Sequence, residues 1–135
     1  MSLSAEDRLE IQQLLSDYSF YEDTGAAEDW AALFTRDGRF VGGGKAPVVG
    51  TSALIDFAAR RWTDKPEVRA RTHWVNNIVI KPIADGAEVN SYQLTIDKVN
   101  GELKVGQVSG KADIVRKEDG RWKFYEGRVV KVGAD

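Results

Sequence analysis

From Arg69 onward the strand-like segments of this chain repeat with a period of two residues, whereas before it apolar residues recur at helical spacing. Three dipeptides, Asp85-Gly86, Asn100-Gly101 and Asp119-Gly120, cut the second half into four runs, roughly 70–82, 87–98, 102–116 and 121–132. Such dipeptides favour tight hairpins because the backbone there needs positive φ. The second half is therefore expected to be a four-strand antiparallel meander.

The first half reads as helices. "SAEDRLEIQQLLSDYSFYED" opens with Ser4 and Asp7 at capping-box spacing, and Ile11, Leu14, Leu15, Tyr18 and Tyr21 then form one stripe. Gly25 marks the expected end of this helix. "AAEDWAALF" reads as a second, short helix with Ala27, Trp30, Leu33 and Phe34 inward. Asp37-Gly38 then turns the chain into a short strand, "RFVGG". Thr51 or Ser52 caps a third helix, "SALIDFAARRW", which Pro66 brings to a close. The order predicts an α+β fold, with three N-terminal helices on one face of a curved, mainly antiparallel sheet. Residues 1–135 make one domain, which buries roughly two-thirds of the surface of its unfolded chain.

Several function classes fall away. The net charge of −2 gives no field to recruit nucleic acid or an anionic membrane. There are no cysteines, so disulfides, thiolate nucleophiles and cysteine zinc sites are excluded. No apolar run approaches the roughly 20 residues that span a bilayer, and "MSLSAEDRLE" has no apolar signal core, so a cytoplasmic location is expected. With one histidine and no HExxH or HxH spacing, no metal or other cofactor is expected. "VGGGKAP" fails the phosphate-loop pattern, because Arg39 stands where a glycine is needed and Ala46 where a hydroxyl is needed.

The single histidine lies in "RTHWVNNIVI". Strict alternation puts Arg71, His73, Val75, Asn77 and Val79 on one face, and Thr72, Trp74, Asn76, Ile78 and Ile80 on the other. Neither face is cleanly polar, so both are expected to be covered, one by helices and one by another subunit. An enclosed imidazole needs a partner for each ring nitrogen. Read alone, His73 fits a core histidine held by a backbone carbonyl as well as it fits a base. Asp23, at the end of the tyrosine-rich first helix, is its natural partner. A carboxylate on one ring nitrogen fixes the tautomer and strengthens the other nitrogen as a base. Tyr18 continues the inward stripe, and its hydroxyl can donate to a carbonyl or a departing oxygen.

Order and residues together resemble the SnoaL-like branch of the NTF2-like (nuclear transport factor 2-like) superfamily. The resemblance rests on "YSFYEDTGAAEDWAALFTRDGRFV", "RTHWVNNIVI" and "GKADIVRKEDGRWKFYEGRVV", and it covers nearly the whole chain. It implies a cone-shaped α+β barrel with an apolar pocket between the sheet and the first helix, in a homodimer or a trimer. Cofactor-free members such as scytalone dehydratase, bile acid 7α-dehydratase and hexachlorocyclohexane dehydrochlorinase use an aspartate–histidine dyad. Asp23 and His73 match those positions, and Tyr18 matches a tyrosine of the dehydratases. Two positions depart from the pattern. The arginine some members carry on the last strand falls nearer Gly127, one residue before Arg128. The tyrosine and aspartate often found on the preceding strand have Gly110 and Ala112 as their expected inward counterparts.

The expected activity is acid–base dehydration or isomerisation of a small, apolar, polyketide- or steroid-like molecule, without a cofactor. His73 moves the proton, Asp23 orients it, and Tyr18 donates to the substrate oxygen. Asn77 and Arg128 are expected to bind polar groups, and Trp30, Phe34, Phe57, Trp74 and Tyr92 to form pocket walls. The competing expectations are a binding module and an accessory subunit of the same fold.

Overall fold

A computed structural model describes residues 2–133. The first helix, α1 (Ala5–Thr24), starts at a complete capping box: Ser4 Oγ accepts from the Asp7 amide, and Asp7 accepts from the Ser4 amide, both at 3.0 Å. Gly25 ends it in the left-handed region, with φ 73°. A side chain at that position would also collide with the Trp62 indole. The buried stripe is Ile11, Leu14, Leu15, Tyr18 and Ser19, with Tyr21 only partly covered.

The second helix, α2 (Ala27–Ala32), is shorter than expected, because Phe34 already belongs to strand β1 (Phe34–Val41). Strand pairing decides this: the Phe124 amide donates to Leu33 O at 2.8 Å, and Phe34 stands opposite Phe124. Asp37-Gly38 therefore does not precede a strand but lies within one, at an irregularity between Phe34 and Arg39. Thr35 Oγ1 donates to Asp37 Oδ1 there at 2.9 Å. A two-residue strand, β2 (Val48–Val49), pairs with β1 inside what reads as loop. Helix α3 (Thr51–Asp64) is entered from Gly50 with no side-chain cap, so neither Thr51 nor Ser52 plays that part. Gly50 instead donates its amide to Gly38 O at 2.9 Å, tying the helix entry to β1. A 3-10 turn, Pro66–Ala70, follows.

The meander forms as expected: β3 (Arg71–Ile83), β4 (Gly86–Val99), β5 (Glu102–Glu118) and β6 (Arg121–Val130). Asn100-Gly101 and Asp119-Gly120 both take positive φ, as such hairpins require. The first hairpin differs: Ala84-Asp85 forms the turn, and Gly86 opens β4. The six-stranded sheet is mixed, in the order β2-β1-β6-β5-β4-β3, and only β1 and β6 run parallel. It does not close, so β2 and β3 are its edges.

The three helices cover one face. There Tyr18, Trp30, Phe34 and Phe124 stack with centroids 4.9–6.4 Å apart. Aromatic pairs of this kind contribute about 0.5–1.5 kcal/mol each beyond their burial. Two bonds tie α1 to β6: the Trp122 amide donates to Glu10 at 2.6 Å, and its indole N–H to Asp7 at 3.0 Å. No helix among the described residues is long and apolar enough to cross a membrane.

Candidate active site

The last turn of α1 carries Glu22 and Asp23 and no basic residue. The negative end of a helix dipole disfavours carboxylates there. Their placement therefore reflects partners beyond the helix. Strand β3 supplies one. Being an edge strand, it leaves backbone N–H groups unpaired on its outer side. Asp23 Oδ2 accepts one of them, the His73 amide, at 2.9 Å. Its other oxygen, Oδ1, lies 2.6 Å from His73 Nδ1. With that carboxylate as acceptor, a neutral ring carries its proton on Nδ1 and leaves Nε2 as the free basic position.

The His73 side chain is 6% exposed and forms part of the wall of a cavity of about 740 Å³. Asp23 stands behind the ring, outside that wall. Glu22, Arg61 and Gln93 supply other polar groups of the wall, and Phe40, Phe57, Val48 and Val129 its apolar part. The loop from Gly42 to Pro47, strand β2 and helix α3 frame the mouth. Glu22 lies 3.5 Å from both His73 Nδ1 and Arg61 Nη1. Glu22, Asp23 and His73 bring one donor atom each within 4.8 Å of one another, the minimum set for a metal ion. Within that cluster Asp23 Oδ1 holds His73 Nδ1 at 2.6 Å, and the Arg61 guanidinium stands 3.5 Å from Glu22 Oε2.

Arg71 shares the face of His73 but turns away from it, forking onto Asp97 at 2.8 and 3.1 Å. That fork holds the Asp97 carboxyl below its usual range.

The remaining expected site residues scatter. Tyr18 is 1% exposed in the aromatic core and does not line the cavity. Burial, with Glu22 and Asp113 nearby, pushes its phenol well above the ordinary value, so it stays protonated. Trp30 and Phe34 are core residues of the same cluster, while Phe57 does line the cavity. Asn77 does not share His73's face. It sits at φ 56° in a bulge between Asn76 and Val79, which returns Ile78 and Ile80 to the inner side. Trp74 and Tyr92 are 61% and 53% exposed on the opposite face of the sheet, so they are not cavity walls. Arg128 pairs with Glu126 at 2.9 Å, and its neighbour Val129 takes the cavity position.

The expectation that Gly110 and Ala112 face inward is corrected by one residue. Lys111 and Asp113 are the inner pair, both side chains fully buried, with Nζ 3.3 Å from Oδ1. Lys111 Nζ also stands 4.0 Å above the Tyr18 ring, and Asp113 accepts the Arg128 amide at 3.0 Å.

This combination of helices on an open mixed sheet, with a pocket over the inner face, defines an NTF2-like α+β protein. Similar solved structures share the fold. An NTF2-like protein with a cystatin-like fold from Novosphingobium aromaticivorans superposes with a TM-score of 0.86 at 21% identity, over 96% of this chain and 84% of that one. A protein of unknown function from Nostoc punctiforme gives 0.84 at 26%, over 96% and 93%. A candidate scytalone dehydratase from Novosphingobium aromaticivorans gives 0.79 at 26%, over 94% and 85%. No curated protein matches the chain in sequence. The SnoaL-like domain model matches residues 3–128, and the chain belongs to that family.

Proposed function

We propose that this protein is an acid–base enzyme, a dehydratase or isomerase acting on a small, largely apolar molecule with a hydroxyl or carbonyl group. His73 takes a proton from the substrate, or carries one to its departing oxygen, through Nε2. Asp23 holds the ring by its Nδ1 proton and stabilises the imidazolium formed. A positioned base of this kind is worth about 10²–10⁴ in rate and needs no resident cofactor. One observation carries the reading: a carboxylate at 2.6 Å from the Nδ1 of a histidine that walls a cavity of ligand size. Likeness to a candidate scytalone dehydratase supports the same class. Tyr18 does not donate to the substrate in this reading, because its ring lies outside the cavity wall. The protein works as a cytoplasmic homodimer joined through the outer sheet face, where Trp74, Tyr92 and Val108 stand exposed.

The test is turnover of a panel of hydroxylated steroids and polyketide-like ketones by the wild type and by folded His73→Ala and Asp23→Asn variants. Loss of elimination or isomerisation in both variants is expected. Undiminished turnover in both removes the dyad from the mechanism.

A further inference from the structure

Removing a proton beside a carbonyl sends an electron pair to the carbonyl oxygen, and catalysis of that step needs a donor where the charge develops. The residues expected to supply one lie elsewhere. Tyr18 is in the core, Asn77 in a bulge, and Arg128 beside Glu126. Four cations line the cavity: Lys45, Arg60, Arg61 and Lys65. Three of them are exposed at its mouth. Lys45 and Lys65 stand in solvent, and the Arg60 side chain, 73% exposed, is paired with Asp56 at 3.0 Å.

Arg61 differs because of its place on α3. Leu54, Phe57, Ala58 and Arg61 fall at the spacing of one helix face, so the arginine ends the inward stripe. Its side chain is 22% exposed, and Nη1 lies 3.5 Å from Glu22 Oε2. The other oxygen of Glu22 stands 3.5 Å from His73 Nδ1. One carboxylate therefore joins this guanidinium to the imidazole, and Arg61 is the wall cation tied to the dyad. The contact is longer than the roughly 2.7–3.2 Å of a good N–H···O bond, so the pair positions the guanidinium without consuming its donors. Phe40 and Phe57 back the same wall at 5.2 Å between centroids. A charge beside such a surface acts on a neighbouring charge more strongly than one in bulk water.

We propose that Arg61 is a catalytic residue, the donor that holds the substrate's carbonyl oxygen while His73 Nε2 takes a proton from the adjacent carbon. The C–H electron pair moves to the oxygen, and Arg61 meets the charge of the enolate. The enolate then regains the proton from the imidazolium at another carbon, which is isomerisation. Alternatively it expels a β-hydroxyl, which leaves with that proton as water, and this is dehydration. Glu22 is a positioning residue, because it holds the guanidinium beside the dyad. The proposal deepens the acid–base reading and rests on it for the reaction, but the binding preference it predicts needs no turnover.

Equilibrium dialysis of the full chain in mildly alkaline buffer tests it, with para-nitrophenolate as the enolate mimic and para-nitroanisole as its uncharged counterpart. The wild type should bind the phenolate at least roughly tenfold more tightly than the anisole. Arg61→Gln should abolish most of that preference and leave anisole binding unchanged. Arg61→Lys keeps the charge but loses the planar fork, so it should keep part of the preference, and it serves as the second variant should glutamine fold poorly. Arg60→Gln should keep all of it, which separates the donor from the charges at the mouth. On any substrate that the wild type turns over, Arg61→Gln should lower kcat by about 10²–10³. Asp23→Asn should lose turnover and keep the phenolate preference, so failure of the dyad and failure of this proposal are separate results. Equal affinity for phenolate and anisole in the wild type, an unchanged preference in both Arg61 variants, an equal loss in Arg60→Gln, or no phenolate binding at millimolar concentration overturns it.

Discussion

Asp23 holds His73 at two points, the ring through one carboxylate oxygen and the strand backbone through the other. The two contacts predict different outcomes for two substitutions. Asparagine can still accept the backbone amide, but its NH₂ group presents a donor to Nδ1 and turns the ring to the opposite tautomer. Asp23→Asn should therefore stay folded and lose about 10²–10⁴ in turnover. Alanine strands both donors, so Asp23→Ala should also lose about 2–4 kcal/mol in urea unfolding. Equal stability of the two variants would show that the backbone contact contributes nothing.

Lys111 and Asp113 form a second, deeper pair. Removing one partner of a fully buried ion pair leaves an uncompensated charge and typically costs about 3–5 kcal/mol, whereas replacing both is often neutral. Lys111→Met should be destabilised by about that much. Adding Asp113→Asn, which keeps an acceptor for the Arg128 amide, should restore more than half. A double variant as unstable as the single one would mean that the lysine acts through its packing on Tyr18 rather than its charge.

The capping box contributes to stability in acid. The Asp7 carboxyl is held far below its ordinary value of 3.8 by the Ser4 amide first, then the Trp122 indole and the Ser4 hydroxyl. A folded-state value below the unfolded one means stability that is fully present above pH 3.8 and lost as pH falls below it. Asp113 works in the opposite sense, because burial raises its value and favours the protonated fold. Asp7→Asn should flatten the decline of stability between pH 4 and pH 2, measured by thermal unfolding across that range. A decline as steep as that of the wild type would assign acid sensitivity to Asp97 and Glu126, the other carboxyls held low.

Much of this was legible in residue order. The capping box, Gly25 and two of the three hairpins depend on local chemistry, and local chemistry decided them. The Asp23–His73 contact also followed, because an enclosed imidazole needs a partner and the end of the first helix offered a carboxylate. What escaped depended on partners distant in sequence. Phe34 left its helix for β1, where it pairs with β6, and Asn77 was displaced by a bulge that alternation cannot register. The larger correction concerns which residues of β4 and β5 face inward. On β4 the inner positions are Ser91, Gln93 and Thr95, with Tyr92 outward. On β5 they are Ser109, Lys111 and Asp113. Over 91–95 and 109–113 the inner face is polar because it lines a site and a buried ion pair, whereas Ala87, Val89 and Val115 keep the rest of it apolar. A reading that allowed this inversion would have found Gln93 and Lys111.

Gly86 has no room for a side chain. A Cβ there would fall 2.0 Å from the Val115 carbonyl oxygen, where backbone rather than a movable side chain must yield. Gly86→Ala should cost about 2–3 kcal/mol, at the upper end of overpacking penalties, read as a lower midpoint in urea. Unchanged stability would mean that β4 and β5 separate at that end at little cost.

The same inversion leaves an apolar outer face. Strand registers align Trp74, Leu94 and Val108 in one row across three strands, and Asn76, Tyr92, Gly110 and Val130 in the next. Trp74, Tyr92 and Val108 are each more than half exposed in the single chain. Contiguous apolar surface of this kind is uncommon on a monomer, and two such faces pack as a sheet pair with the aligned geometry of a sandwich. Sedimentation at micromolar concentration should give a homodimer. Trp74→Glu combined with Tyr92→Glu should give a folded monomer, because like charges would then meet across a two-fold contact. The inner cavity is untouched by these changes, so a ligand that binds the dimer should bind the monomer with similar affinity. A wild type that sediments as a monomer, or a double variant that still pairs, would move the subunit contact off this face.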